Sequence, residues 1–84
     1  MKWRTGENRI DCMDADGSTI GHVDFMEISP GVYDIYRTEV NASHRGEGIA
    51  SDLVESAVDE IKWREGKIRA SCPYAAKWLE KHSA

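Results

Sequence analysis

A glycine-rich turn, Arg45-Gly46-Glu47-Gly48-Ile49-Ala50, closes a β-like run and opens directly into the most strongly helical stretch of the sequence. From Gly48 to Glu65 the apolar positions Ile49, Ala50, Leu53, Val54, Ala57, Val58 and Ile61 recur at helical spacing, with Ser51, Asp52, Glu55, Ser56, Asp59, Glu60 and Lys62 opposite. A helix entered through such a turn constrains what surrounds it. Its first amides lack intrahelical partners and carry partial positive charge, two glycines let the backbone approach a ligand, and Arg45 adds a planar fork of donors. The combination suits a phosphate or pyrophosphate. By itself, a glycine pair before a helix equally fits a plain loop and cap.

The flanking segments set the topology. Val32–Val40 precedes the turn and reads as a strand, and Lys67–Cys72, with Ile68, Ala70 and Cys72 on one face, reads as another. Strand, helix and strand in that order imply parallel pairing and a right-handed βαβ unit. Gly66 is expected at the helix C′ position, where Lys62 and Arg64 also complement the dipole. Strict alternation through Val32–Val40 sets Val32, Tyr36, Thr38 and Val40 against Tyr33, Ile35, Arg37 and Glu39. Apolar members on both sides predict an interior strand covered on both faces. Upstream, Trp3–Met13 reads as one strand turning at Asp14-Ala15-Asp16-Gly17. Thr19–Ile28 reads as the next, with Gly21 as a bulge position and a turn at Ser29-Pro30-Gly31. Pro73 opens a short helix, Tyr74–Lys81, with Tyr74, Trp78 and Leu79 inward. The expected fold is α+β: a mixed, mostly antiparallel sheet of about four strands, a parallel βαβ unit and a short C-terminal helix, in one domain spanning residues 1–84.

Eighty-four residues allow one modest core, so any reactive site must share its groove with whatever ligand the turn holds. No apolar run approaches the ~20 residues of a membrane span, and the charged N-terminus has no signal-peptide core, which points to the cytoplasm. The net charge is -4, and residues 1–44 carry 4 basic against 8 acidic side chains, whereas residues 45–84 carry 7 of each. That distribution disfavours a nucleic-acid surface. An acidic first half could attract a cationic amine, or simply keep the protein soluble. Cys12 and Cys72 read as free thiols in a reducing compartment, and no Cys/His/Asp spacing resembles a metal site.

Arg45, Gly48 and Ala50 form Arg-x-x-Gly-x-Ala, which resembles the acyl-CoA pyrophosphate motif of the GNAT superfamily of N-acetyltransferases. With Thr38-Glu39-Val40 upstream and Ser71-Cys72-Pro73-Tyr74 downstream, the pattern resembles the short single-domain branch of that superfamily, over Val32 to His82. The resemblance implies a truncated GNAT fold that binds acetyl-CoA and passes its acetyl group to an amine, on a small molecule or a protein lysine. It implies cofactor contacts from Arg45, Gly46, Glu47, Gly48, Ile49 and Ala50, a pantetheine arm along Glu39 and Val40, and a phosphate contact from Lys77. It further implies a catalytic Cys72 and a proton-donating Tyr74, although the residues alone favour a buried structural thiol and a packing aromatic. Where these relatives carry His, this chain carries Arg37, which cannot act as a base but could hold a Cys72 thiolate, orient a carbonyl or pair with Glu39. His44 is expected to cap or contact phosphate, and by position neither His22, His44 nor His82 replaces the missing histidine. Three readings therefore stand: an N-acetyltransferase, a non-catalytic acyl-CoA-binding module, and a generic phosphate binder.

Overall fold

Glycines with left-handed backbone, Gly17 (φ 91°) and Gly31 (φ 74°), close two tight hairpins, and the strands they join build most of the sheet. In the computed structural model, which describes residues 1–82, the elements are β1 (Lys2–Thr5), β2 (Arg9–Met13), β3 (Thr19–Ser29), β4 (Val32–Val40), a 3-10 turn (Ala42–His44), α1 (Ile49–Trp63), β5 (Lys67–Ala70) and α2 (Pro73–His82). The sheet order is β1-β2-β3-β4-β5, antiparallel up to β4 and parallel between β4 and β5. This is the mixed α+β arrangement with its βαβ unit. The sheet has five strands because the run Trp3–Met13 is two strands, reversed at Gly6-Glu7-Asn8, where Gly6 N donates to Arg9 O at 2.7 Å.

One inserted residue reorganises β4. Asp24 pairs with Arg37 and Phe25 with Ile35, so Tyr36 has no partner and the alternation changes phase across it. Ile35, Tyr33 and Val40 consequently turn to the core, and Thr38 meets the Cys72 thiol there. Arg37 and Glu39 lie on the opposite side with side chains 59% exposed, so the strand is not covered on both faces along this half. The face shared by Ile35 and Arg37 in the simple alternation does not exist.

The inner face carries Ile10, Cys12, Val23, Phe25 and Ile35, and α1 covers it with the expected stripe of Ile49, Leu53, Val54, Ala57, Val58 and Ile61. α2 closes the core at the β5 end through Ala75, Trp78 and Leu79, and Trp78 Nε1 donates to Ser51 Oγ of α1 at 2.9 Å. Tyr74 is exposed rather than inward, because the i, i+3, i+4 stripe of this helix starts at Ala75.

The end of α1 departs from expectation. Glu65, not Gly66, takes the left-handed position (φ 61°), while Gly66 lets the Tyr33 ring approach: a Cβ there would lie 2.6 Å from the ring. Arg64 bonds Glu60 at 2.8 Å, reaches the carbonyls of Glu7 and Gly6, and lies over the rings of Phe25 and Tyr33. Among the described residues no helix is long and apolar enough to cross a membrane.

Candidate functional site

β4 and β5 are paired only from Val32 to Ile35 against Lys67 to Ala70. Beyond that the strands part. The Ile35 carbonyl accepts from both Ser71 N and Cys72 N at 3.1 Å, the Asp34 carboxylate takes Ser71 N at 2.9 Å and Ser71 Oγ at 2.6 Å, and Pro73 turns the chain into α2. β4 continues alone to Val40, leaving a wedge between its free edge and the start of α2.

A cavity of 610 Å³ occupies the open end of this wedge, lined by Gly21, His22, Thr38, Glu39, Val40, Arg45, Ala50 and Tyr74 among others. A second, of 250 Å³, lies at the mouth of α1 among Val40, His44, Arg45, Gly46, Gly48, Ile49, Ala50 and Tyr74. Shared walls at Val40, Arg45, Ala50 and Tyr74 make them one groove. Tyr74 also borders a third cavity, of 220 Å³, with Ser51, Lys77 and Lys81.

The turn has the geometry of an anion cradle. Gly46 (φ 86°) and Gly48 (φ 80°) are both left-handed, and a Cβ on either would project into open space. Gly48 is the N-cap of α1 and no side chain caps the helix, which leaves its first amides unclaimed by a side chain, with Asp52 in the first turn. The open space, the uncapped helix start and Arg45 together fit a pyrophosphate-bearing ligand. Glu47, which would oppose an anion, is drawn aside to His44 Nδ1 at 3.1 Å. His44 therefore engages a carboxylate while still lining the groove.

The expected residues divide in two. Glu39, Val40, Arg45, Gly46, Gly48, Ile49, Ala50 and Tyr74 converge on the joined cavities, with Lys77 beside them. Cys72 and Arg37 do not line the groove. Cys72 is buried in the core with its thiol 3.7 Å from Thr38 Oγ1, and its carbonyl accepts Ala76 N at the start of α2. Arg37 lies across β4 from that thiol and pairs with Glu39 at 3.8 Å. Burial raises the pKa of the Cys12 thiol, as suits a core position.

The structure adds Gly21, His22, Thr38 and Asn41 to the groove. Gly21 is obligatory there, since a Cβ would fall 2.6 Å from the Glu39 carbonyl. His22 stands directly opposite Glu39 in the β3–β4 register, with Nε2 3.5 Å from Asp24 Oδ2 and 3.7 Å from Glu39 Oε2. Asp24 is itself buried and held by Arg9.

A family profile described as GCN5-related N-acetyl-transferase matches residues 9–84. The chain belongs to this family. Among solved structures it is similar to a GCN5-like candidate N-acetyltransferase from Staphylococcus aureus, with 25% identity and a TM-score of 0.75 over 95% of this chain and 78% of that one. It is also similar to a candidate acetyltransferase from Pyrococcus furiosus, with 27% identity and a TM-score of 0.70 over 95% of this chain and 60% of that one. The fold matches that of a ribosomal-protein-alanine N-acetyltransferase from Brucella melitensis, at 24% identity and a TM-score of 0.69 over 90% of this chain. The chain spans 59% of that last protein's length. No curated protein matches the sequence. Membership in the GCN5-related family makes acyl-CoA-dependent N-acetyl transfer the activity to weigh against the geometry.

Proposed function

We propose that this chain, as a single domain over residues 1–84, binds acetyl-CoA and transfers its acetyl group to a primary amine of a small molecule or a protein lysine. One observation carries the reading: the anion cradle at the start of α1 is continuous with the cavity in the β4–β5 wedge. Bound acetyl-CoA supplies an activated thioester. Arg45 and the amides from Gly46 to Ala50 hold the pyrophosphate, and Lys77 adds positive charge beside the same groove. The free edge of β4 at Glu39 and Val40 offers backbone groups to the extended arm, as a missing strand would use them. The Tyr74 hydroxyl, where all three cavities meet, donates a proton to the departing sulfur.

Direct attack by the amine is favoured over a Cys72 acyl-enzyme, because the thiol is enclosed in the core and engaged with Thr38. Cys72 then packs in the core behind Thr38, and Arg37 orients the Glu39 carboxylate. Two free thiols suit a cytoplasmic setting. The second reading, a non-catalytic acyl-CoA-binding module, draws on Arg37 itself, which stands where the resemblance to the short GNAT branch implies a His and cannot take a proton.

Thermal melts with CoA and acetyl-CoA, followed by mass spectrometry of an amine panel, distinguish these readings. Binding to the native state alone adds about 2.7 kcal/mol at a hundredfold excess over Kd. Stabilisation with acetylated product supports the transferase. Stabilisation with no product on any amine supports the binding module, and no stabilisation by millimolar ligand removes both.

A further inference from the structure

We propose that His22 is the proton acceptor for the incoming amine, supplying from β3 the imidazole that β4 lacks. The inference rests on the N-acetyltransferase reading above and deepens it by naming the side chain that takes the amine's proton. His22 lines the 610 Å³ cavity together with Glu39, Thr38 and Tyr74. Its Nε2 is buried and has no hydrogen-bond partner, a costly condition for a ring nitrogen unless a ligand completes it. Nearby carboxylates leave that nitrogen free: Asp24 Oδ2 is 3.5 Å away and committed to Arg9, and Glu39 Oε2 is 3.7 Å away at the exposed rim.

The charged groups around the ring come as ion pairs. From β2, Asp11 faces His22 and is paired with Arg4; on β3 itself stands Asp24 with Arg9; from β4 come Glu39 and Arg37; Arg45 and Tyr74 line the cavity with it. Glu39 is the carboxylate at the mouth that can meet an ammonium group, and the unpartnered ring nitrogen of His22 can accept its proton. The balance is simple. His22 Nε2 takes one proton from R–NH3⁺; the freed lone pair forms the N–C bond at the acetyl carbonyl carbon, and the C–S bond breaks with its electrons on the CoA sulfur. The second amine proton passes to that sulfur through Tyr74, and His22 releases its own to solvent. The products are an N-substituted acetamide, CoA thiol and one proton.

The test combines transfer kinetics with a direct reading of the ring, using n-butylamine and an Nα-blocked lysine as probes. In wild-type protein, NMR signals of the His22 ring should move on adding amine, with or without CoA. In His22→Gln, kcat/KM should fall about 10²-fold and the rise of rate with pH through the imidazole range should disappear, while stabilisation by CoA stays unchanged. His22→Asn repeats the comparison if the first variant folds poorly. Retained turnover with the same pH rise in either variant overturns the assignment, as does a wild-type ring that ignores both amines. Absence of CoA stabilisation in wild type instead overturns the cofactor reading, and the ring titration still decides His22.

Discussion

The two halves of β4 share a strand and little else. From Val32 to Ile35 it is bonded on both edges, to β3 and β5, with Ile35 buried under α1. From Arg37 to Val40 it has β3 alone, and its other edge faces a groove. The first half holds the fold together by burial and pairing; the second withholds the same backbone groups for something else. Tyr36 is the boundary, and the phase change there gives the core Thr38 while leaving Arg37 and Glu39 in water.

The largest expected effect lies in the closed half. Phe25→Ala empties a fully buried site paired with Ile35, and such truncations cost about 3–5 kcal/mol, enough to lower Tm by at least 10 °C or so in a domain of this size. Protein that remains folded should still be stabilised by CoA, which calorimetry with ligand would show. Gly48→Val attacks the open half. It should remove the CoA-induced stabilisation altogether, while the unliganded Tm falls by the equivalent of only about 1–2 kcal/mol for a β-branched residue at positive φ. If Phe25→Ala abolished binding in folded protein, or Gly48→Val left it intact, the division of β4 into a holding half and a binding half would fail.

Smaller effects belong to the turns that deliver each half. Glu65→Gly relieves a left-handed glutamate in the connection to β5 and should raise stability by about 0.5–1 kcal/mol in urea titration. Asp16 lies in the hairpin before Thr19–Gly21, and its interaction with the Asp14 carboxyl and the hydrogen bonding of Ser18, whose N donates to Asp16 Oδ1, hold its carboxyl down to about 2 from an ordinary 3.8. A depressed carboxyl contributes stability above its unfolded value and loses it as pH falls through the folded one. Wild type should therefore exceed Asp16→Asn in stability above pH 4, and the gap should close toward pH 2 in acid melts.

Local signals made part of this visible in the sequence. The α1 stripe, the glycine turn that opens it and the parallel crossover follow from spacing within one segment, and the structure has all three. Features set by partners were hidden. Nothing near Tyr36 announces that Asp24 and Phe25 will straddle it, so period-two reading carries Arg37 to the wrong face. Gly6-Glu7-Asn8 is a turn overridden in the reading by the alternation of Ile10 and Cys12, and Gly66 looks like a cap until the Tyr33 ring is seen against it. His22 and Glu39 are far apart in sequence, yet counting outward from the Pro30-Gly31 turn pairs them, because the two irregularities between β3 and β4 cancel. That count was the available signal.

The free edge of β4 has a cost in solution behaviour. A strand whose backbone donors and acceptors face outward is a template for any other extended chain, and proteins usually blunt such edges with charge or cover. Here the guards are Arg37 and Glu39, and beyond them only an occupant of the groove can supply the cover. Concentrated with the groove empty, this domain exposes its surface most prone to edge-to-edge assembly, and the acetyl-CoA arm proposed to run along β4 would cover it.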